Sequence, residues 1–152
     1  MDKIVWKNEY ATGINVIDSQ HKRIIDYINE LLLAEMTNDL AKLGEVFYSL
    51  VDYTLLHFEF EESLMEDAGY VAINIHKQTH EVFRQKVLDC KQRYDKGSDV
   101  CKDLAKLLNI WLIDHIANED QAYVACVKQY IHNANAGNNK NWLLDKLKEF
   151  FK

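Results

Sequence analysis

The chain has 152 residues, of which 48% are apolar and 28% charged, and a net charge of −6. That is the composition of one soluble globular domain, long enough to bury a core, and its acidic balance excludes the basic face that nucleic-acid binding needs. There is no proline and there are five glycines, so long helices can run unbroken and the all-α class is favoured.

The first stretch, MDKIVWKNEYATG, lacks a basic region followed by an apolar run and does not read as a signal peptide. No apolar stretch approaches the length of a membrane span. Cys90, Cys101 and Cys126 are an odd, widely spaced set. They are expected to be reduced core fillers in a cytoplasmic protein, neither a disulfide frame nor a zinc site.

Residues 1–17 form an arm with no helical period but with Ile4, Val5, Trp6, Tyr10, Ile14, Val16 and Ile17. Leaving such residues in water forfeits roughly 1.5 to 3 kcal/mol each, so the arm is expected to lie on the body of the domain. Asp18 is a candidate N-cap for a first helix to about Thr37, with Ile24, Ile25, Ile28, Leu31 and Leu32 at spacings of three and four. Asn38 or Asp39 can cap a second helix to Ala68, ended by Gly69. A third is predicted from about Val71 to Tyr94, and a fourth from Ser98 or Asp99 to about Asn133. Short turns between four such helices predict an antiparallel up-down-up-down four-helix bundle.

The polar run from Asn133 to Lys140 reads as a linker, giving a bundle over 1–134 and a tail over 135–152. Within the tail, NWLLDKLKEFFK predicts a short amphipathic helix that packs on the bundle or docks on a protein partner or a membrane surface. A monomer is expected.

Histidines organise the bundle. His57 and Glu61 are four apart, as are His76 and His80, so each pair shares one helix face. Folded back at Gly69, both pairs lie roughly 10 to 12 Å from the turn. His21 lies 17 residues before Asn38 and His57 19 after it, while His80 lies 17 before Gly97 and His115 18 after it. Candidate ligands on all four helices therefore share one level. Only His132 falls far from it and reads as a surface residue.

A buried layer of His21, His57, His76, His80, His115, Glu61 and Asp120 would be costly unless its polar atoms found partners, which a metal supplies. Five imidazoles and two carboxylates exceed one tetrahedral zinc and are too rich in nitrogen for magnesium or calcium. Two first-row ions bridged by the carboxylates account for every ligand, with iron the best match and manganese or zinc as substitutes. One spacing is awkward, because His115 and Asp120 are five apart and about 140° from each other on an ideal helix. Either Asp120 reaches round, or the helix holds a π-type bulge.

The segments TGINVIDSQHK, HFEFEESLM with AGY, HKQTH, and WLIDHIANED resemble those of the hemerythrins, in particular their single-domain bacterial form, over residues of about 4–132. The resemblance implies two iron ions joined by an oxo or hydroxo group and by Glu61 and Asp120. His76, His80 and His115 would hold one iron, and His21 and His57 the other. It further implies reversible O2 binding, end-on at the five-coordinate iron and held as hydroperoxide, for storage, delivery or sensing. Ile24, Phe58, Trp111, Leu112 and Ile116 match the family's apolar O2 pocket. A carrier of this kind is not an enzyme. The alternatives are a di-iron redox enzyme (peroxidase, oxidase or nitric oxide reductase) and a gas or redox sensor acting through a partner. Against the first, no Glu-x-x-His motif surrounds these histidines.

Overall fold

Three residues with left-handed backbone, Asn38, Gly69 and Gly97, stand at the turns between the long helices. The computed structural model describes residues 1–137 and 141–151, with the side chains of 118–120 outside that description. Helix α1 spans Asn15–Met36, α2 Leu40–Ala68, α3 Ile73–Asp95 and α4 Cys101–Ile110. From α4 the chain passes without a break into a π-helical stretch, Trp111–Glu119, and on into α5, Asp120–Ala136. A short α6, Trp142–Phe150, follows. The stretch from α4 to α5 forms the fourth rod of the bundle, and the regular structure of the described residues is helical throughout.

The turns follow local chemistry. Asn38 takes φ 54°, and Asp39 caps α2 by accepting from the Lys42 backbone N–H at 3.1 Å. Gly69 ends α2 at φ 68°, with its N–H and that of Tyr70 returned to Glu66 and Met65. This is the left-handed stop that a residue without Cβ supplies best. Gly97 at φ 90° does the same after α3. No described helix is long and apolar enough to cross a membrane.

Three expected helix starts move. Helix α1 begins at Asn15, so Asp18 lies inside the first turn and does not cap it. Its carboxylate instead accepts from the Thr12 backbone N–H and hydroxyl, both at 2.8 Å, and from the Gly13 N–H at 3.1 Å. The donors it serves belong to the preceding arm. Helix α3 starts at Ile73, and Val71, 98% exposed, lies on the turn before it, which the Ile73 N–H closes by donating to the Tyr70 carbonyl at 3.3 Å. Helix α4 starts at Cys101, with the fully buried Val100 at its N-cap position. The fourth rod also runs three residues past Asn133, to Ala136. His132 is exposed, and Cys90 and Cys101 are buried free thiols.

The arm lies on α1. The Ile4 N–H donates to Asn29 Oδ1 and Asn29 Nδ2 donates back to the Ile4 carbonyl, each at 2.8 Å. Tyr10, Ile14 and Ile17 are buried, while Val5 alternates outward and is exposed.

Two apolar clusters fill the bundle. One contains Ile24, Ile28, Phe47, Leu50, Phe58, Val87, Leu104 and Trp111. The other contains Ile14, Ile17, Phe60, Leu64, Tyr123 and Val127. Against the second lie Trp142, Leu143, Leu147, Phe150 and Phe151 of the tail, with Phe150 and Phe151 set edge-on to Phe60. Trp142 Nε1 donates to Asp67 at 3.1 Å and Lys146 pairs with the same carboxylate at 2.8 Å.

Replacing Asp18 by Ala strands three donors in the arm, two of them on buried Thr12, and should lower unfolding free energy by about 2 kcal/mol. Urea denaturation of Asp18→Ala and Asp18→Asn at equal metal content checks this, with the smaller loss expected for Asn, which keeps one acceptor.

Candidate metal centre

Between the two apolar clusters lies a polar layer. His21, His57, Glu61 and His80 are each fully buried, and His76 and His115 are 5% and 2% exposed. Helix geometry puts them there. His57 and Glu61 are one turn apart on α2, His76 and His80 one turn apart on α3, and each pair faces the bundle axis.

Glu61 is the hub. Its Oε1 lies 2.8 Å from His76 Nε2 and 3.1 Å from His80 Nε2. Its Oε2 lies 3.4 Å from His57 Nε2 and 4.0 Å from His21 Nε2. One carboxylate thus offers one oxygen to each of two imidazole groups. Glu61, His76, His80 and His115 form one set whose potential ligand atoms lie within 4.8 Å of one another, and His21, His57 and Glu61 form a second. Burial raises the Glu61 carboxyl pKa, but contacts with His57, His76 and His80 outweigh that and hold it well below the usual carboxylate range. It is poised as an anion.

Several details fit a cation better than a hydrogen-bonded protein interior. The Nε2 atoms of His21 and His57 face each other at 3.1 Å. The Nε2 of His80 is buried and close to Glu61, yet off the angle that a hydrogen bond requires. Imidazole nitrogens converging on shared points are arranged as ligands. A nitrogen-rich set with a carboxylate between its halves fits first-row divalent metals.

The fourth rod solves the awkward spacing in its backbone. Trp111–Glu119 winds as a π-helix, whose hydrogen bonds run from i to i+5. Positions five apart lie nearer to one face in such a helix than in an α-helix, which is the π-type departure that the spacing of His115 and Asp120 suggested. The Asp120 side chain, the seventh expected ligand, lies outside the described residues.

Sequence reasoning missed the residues that hold the ligands in place. The Nδ1–H of His57 donates to Gln20 Oε1 at 2.6 Å, which leaves Nε2 as the ligand atom. Tyr123 is fully buried and its hydroxyl donates to Glu61 Oε2 at 3.1 Å. Glu62 lies 3.9 Å from His80 Nδ1 and is paired with Arg84 at 3.1 Å. Burial lowers the His80 pKa, yet Glu61 and Glu62 raise it further than burial lowers it. Tyr123 had a faint signal, lying eight residues after His115 on a helical period. Gln20 had none, because its partner is on another helix.

The five residues expected to line a pocket are all buried in the upper apolar cluster, and two of them meet the imidazoles. Trp111 sets its ring edge-to-face against His21 at 5.6 Å and His57 at 5.7 Å, and Phe58 stacks on His80 at 4.4 Å. Ile24, Phe58, Trp111 and Ile116 are fully buried, and Leu112 is 1% exposed.

Removing a partner that orients a ligand typically costs about 10-fold to 100-fold in metal affinity. Gln20→Leu and Tyr123→Phe should each weaken metal retention by that order while leaving helical content unchanged, as read by competition with a chelator and by circular dichroism.

Residues 12–127 match the family model described as the hemerythrin HHE cation binding domain. A bacteriohemerythrin of Stenotrophomonas maltophilia is 42% identical over 152 residues, covering 99% of both chains. One of Pseudomonas aeruginosa is 43% identical with the same coverage. A bacteriohemerythrin of Methylococcus capsulatus is 30% identical over 120 residues, covering 78% of this chain and 92% of the other. A wild-type hemerythrin crystal structure superposes with a TM-score of 0.77 at 29% identity, covering 83% of this chain and 98% of that one. The chain belongs to the hemerythrin family.

Proposed function

We propose that this chain binds O2 reversibly at a non-haem di-iron centre and is a carrier or store rather than an enzyme. The observation that supports it most is the split of Glu61, with one oxygen toward His76 and His80 and the other toward His57 and His21. In this reading His76, His80 and His115 hold one iron, His21 and His57 hold the other, and Glu61 and Asp120 bridge them together with a solvent-derived oxo or hydroxo group. With fewer protein ligands, the side with two histidines would be the one left open to O2, and the irons, when bound, would supply the reversible exchange of electrons with the gas.

The chain's own residues do the rest. Gln20 fixes the tautomer of His57 through the bond to Nδ1, and Tyr123 holds Glu61 Oε2 in place. Ile24, Phe58, Trp111, Leu112 and Ile116 are all buried, and in this reading they keep water from the site. No carboxylate, thiol or amine stands among these five. A carrier needs that restraint, since a ready proton source beside the bound gas would release reduced oxygen and leave the irons oxidised. The same apolar wall gives a polar substrate nothing to hold, which favours a carrier over a redox enzyme. We take the tail as a cover for the bundle, and the chain as a monomer.

Iron content of about two per chain and a visible band that comes and goes as the reduced protein is cycled between O2 and argon are expected. Rapid irreversible oxidation with turnover of a reductant would overturn the carrier reading. Leu112→Asn should speed autoxidation several-fold, followed as the decay of the oxygenated band; an unchanged rate would remove Leu112 from the pocket wall.

A further inference from the structure

The His80 imidazole lies between two neighbouring carboxylates of α2. Glu61 Oε1 is 3.1 Å from its Nε2, and Glu62 Oε1 is 3.9 Å from its Nδ1. Nδ1 is buried and has no hydrogen-bond partner among the described residues, so Glu62 acts on it as a nearby charge rather than through a hydrogen bond. Arg84 holds Glu62 in place. Its Nη2 donates to Glu62 Oε2 at 3.1 Å, and its Nη1 donates to Glu81. His80 and Arg84 are one turn apart on α3, so a single side chain of α2 meets both.

On the other side of Glu61 the arrangement differs in kind. The Nδ1–H of His57 is met at 2.6 Å by the Gln20 amide oxygen, which carries no net charge. A carboxylate behind Nδ1 makes the opposite nitrogen of an imidazole a more basic donor, and a more basic donor favours the higher charge state of a metal. A neutral amide does so less.

We propose that Glu62, tethered by Arg84, is a positioning residue that strengthens His80 as a donor and so makes the His76, His80 and His115 position the more easily oxidised of the two. Gln20 gives the His21 and His57 position no such bias. The two positions then differ in the charge behind their ligands as well as in the number of ligands. In a carrier the position that does not meet the gas must still give up an electron, and Glu62 eases that loss. This consequence rests on the proposed di-iron centre, whereas the link between Glu62 and His80 does not.

Two samples test the two parts. In the zinc-loaded full chain the His80 Nδ1 proton and its nitrogen are followed by NMR; Glu62→Gln should move both signals and Glu81→Gln neither. In the iron-loaded full chain the reduction potential is read by spectroelectrochemical titration. Glu62→Gln should raise it, so that the ferric-to-ferrous ratio at a fixed potential falls about tenfold, or about 59 mV for a one-electron couple. Glu81→Gln removes an equal charge from the same guanidinium without touching His80, and should shift the potential far less. The Glu62 side chain is 13% exposed, and circular dichroism should show its variant folded. An unmoved His80 signal, an unmoved or lowered potential in Glu62→Gln, or an equal shift in Glu81→Gln would overturn the proposal. Iron content is measured on the same sample, so a chain that does not take up two irons overturns the di-iron reading, while the zinc sample still decides whether Glu62 acts on His80.

Discussion

The polar layer at mid-height is the constraint that the rest of this bundle serves. Six buried ligand-type side chains sit where a helical bundle would ordinarily place leucine. Without charge compensation such a layer opposes folding, since each desolvated polar group costs energy unless it is partnered. Glu61 reduces that cost by serving both halves with one carboxylate, and a bound metal pair would meet the remainder. Hydrophobic burial above and below the layer then holds the donors at fixed distances. Each rod positions its ligands through ordinary helix spacing, so the site depends on turn positions as much as on the ligands themselves.

Ordinary spacing fails in one rod, and there the backbone changes. The π-helical stretch Trp111–Glu119 has less favourable hydrogen bonding than an α-helix but aligns residues five apart. It also turns Trp111, Leu112, His115 and Ile116 inward together, so that a candidate ligand and three buried apolar side chains come from one stretch. Local irregularity here has a use, which is the usual reason that such turns persist.

Much of this could be read from sequence, and the part that could not has clear causes. Helix number, the Gly69 stop and the common level of five histidines follow from period and turn residues, which are local. The ligand layer followed because a set of spacings is checked against itself. Helix starts were less legible. Asp18 has the chemistry of a cap, but its carboxylate is claimed by Thr12 and Gly13, and nothing in a linear pattern distinguishes a donor within the helix from one before it. Gln20 and Glu62 were invisible as supports because their partners lie on other helices. The tail's apolar face was legible, but its seat against Phe60 and beside Asp67 was not.

The division of the core into two apolar clusters has a consequence for how the molecule opens. The upper cluster draws on α1 to α4 and the arm, and the lower one on Ile14, Ile17, the end of α2, α5 and the tail. A belt of imidazoles separates them. Cooperativity in a bundle travels through packed side chains, so the belt is the place where it is weakest when the imidazoles are not bound to a common centre. A metal joining α1, α2, α3 and the fourth rod turns that weak plane into a rivet. The two halves would then unfold as one unit, and amide exchange in the lower half, tail included, would report on the occupancy of the site, which Tyr123 alone of the lower cluster's buried residues meets through a hydrogen bond to Glu61.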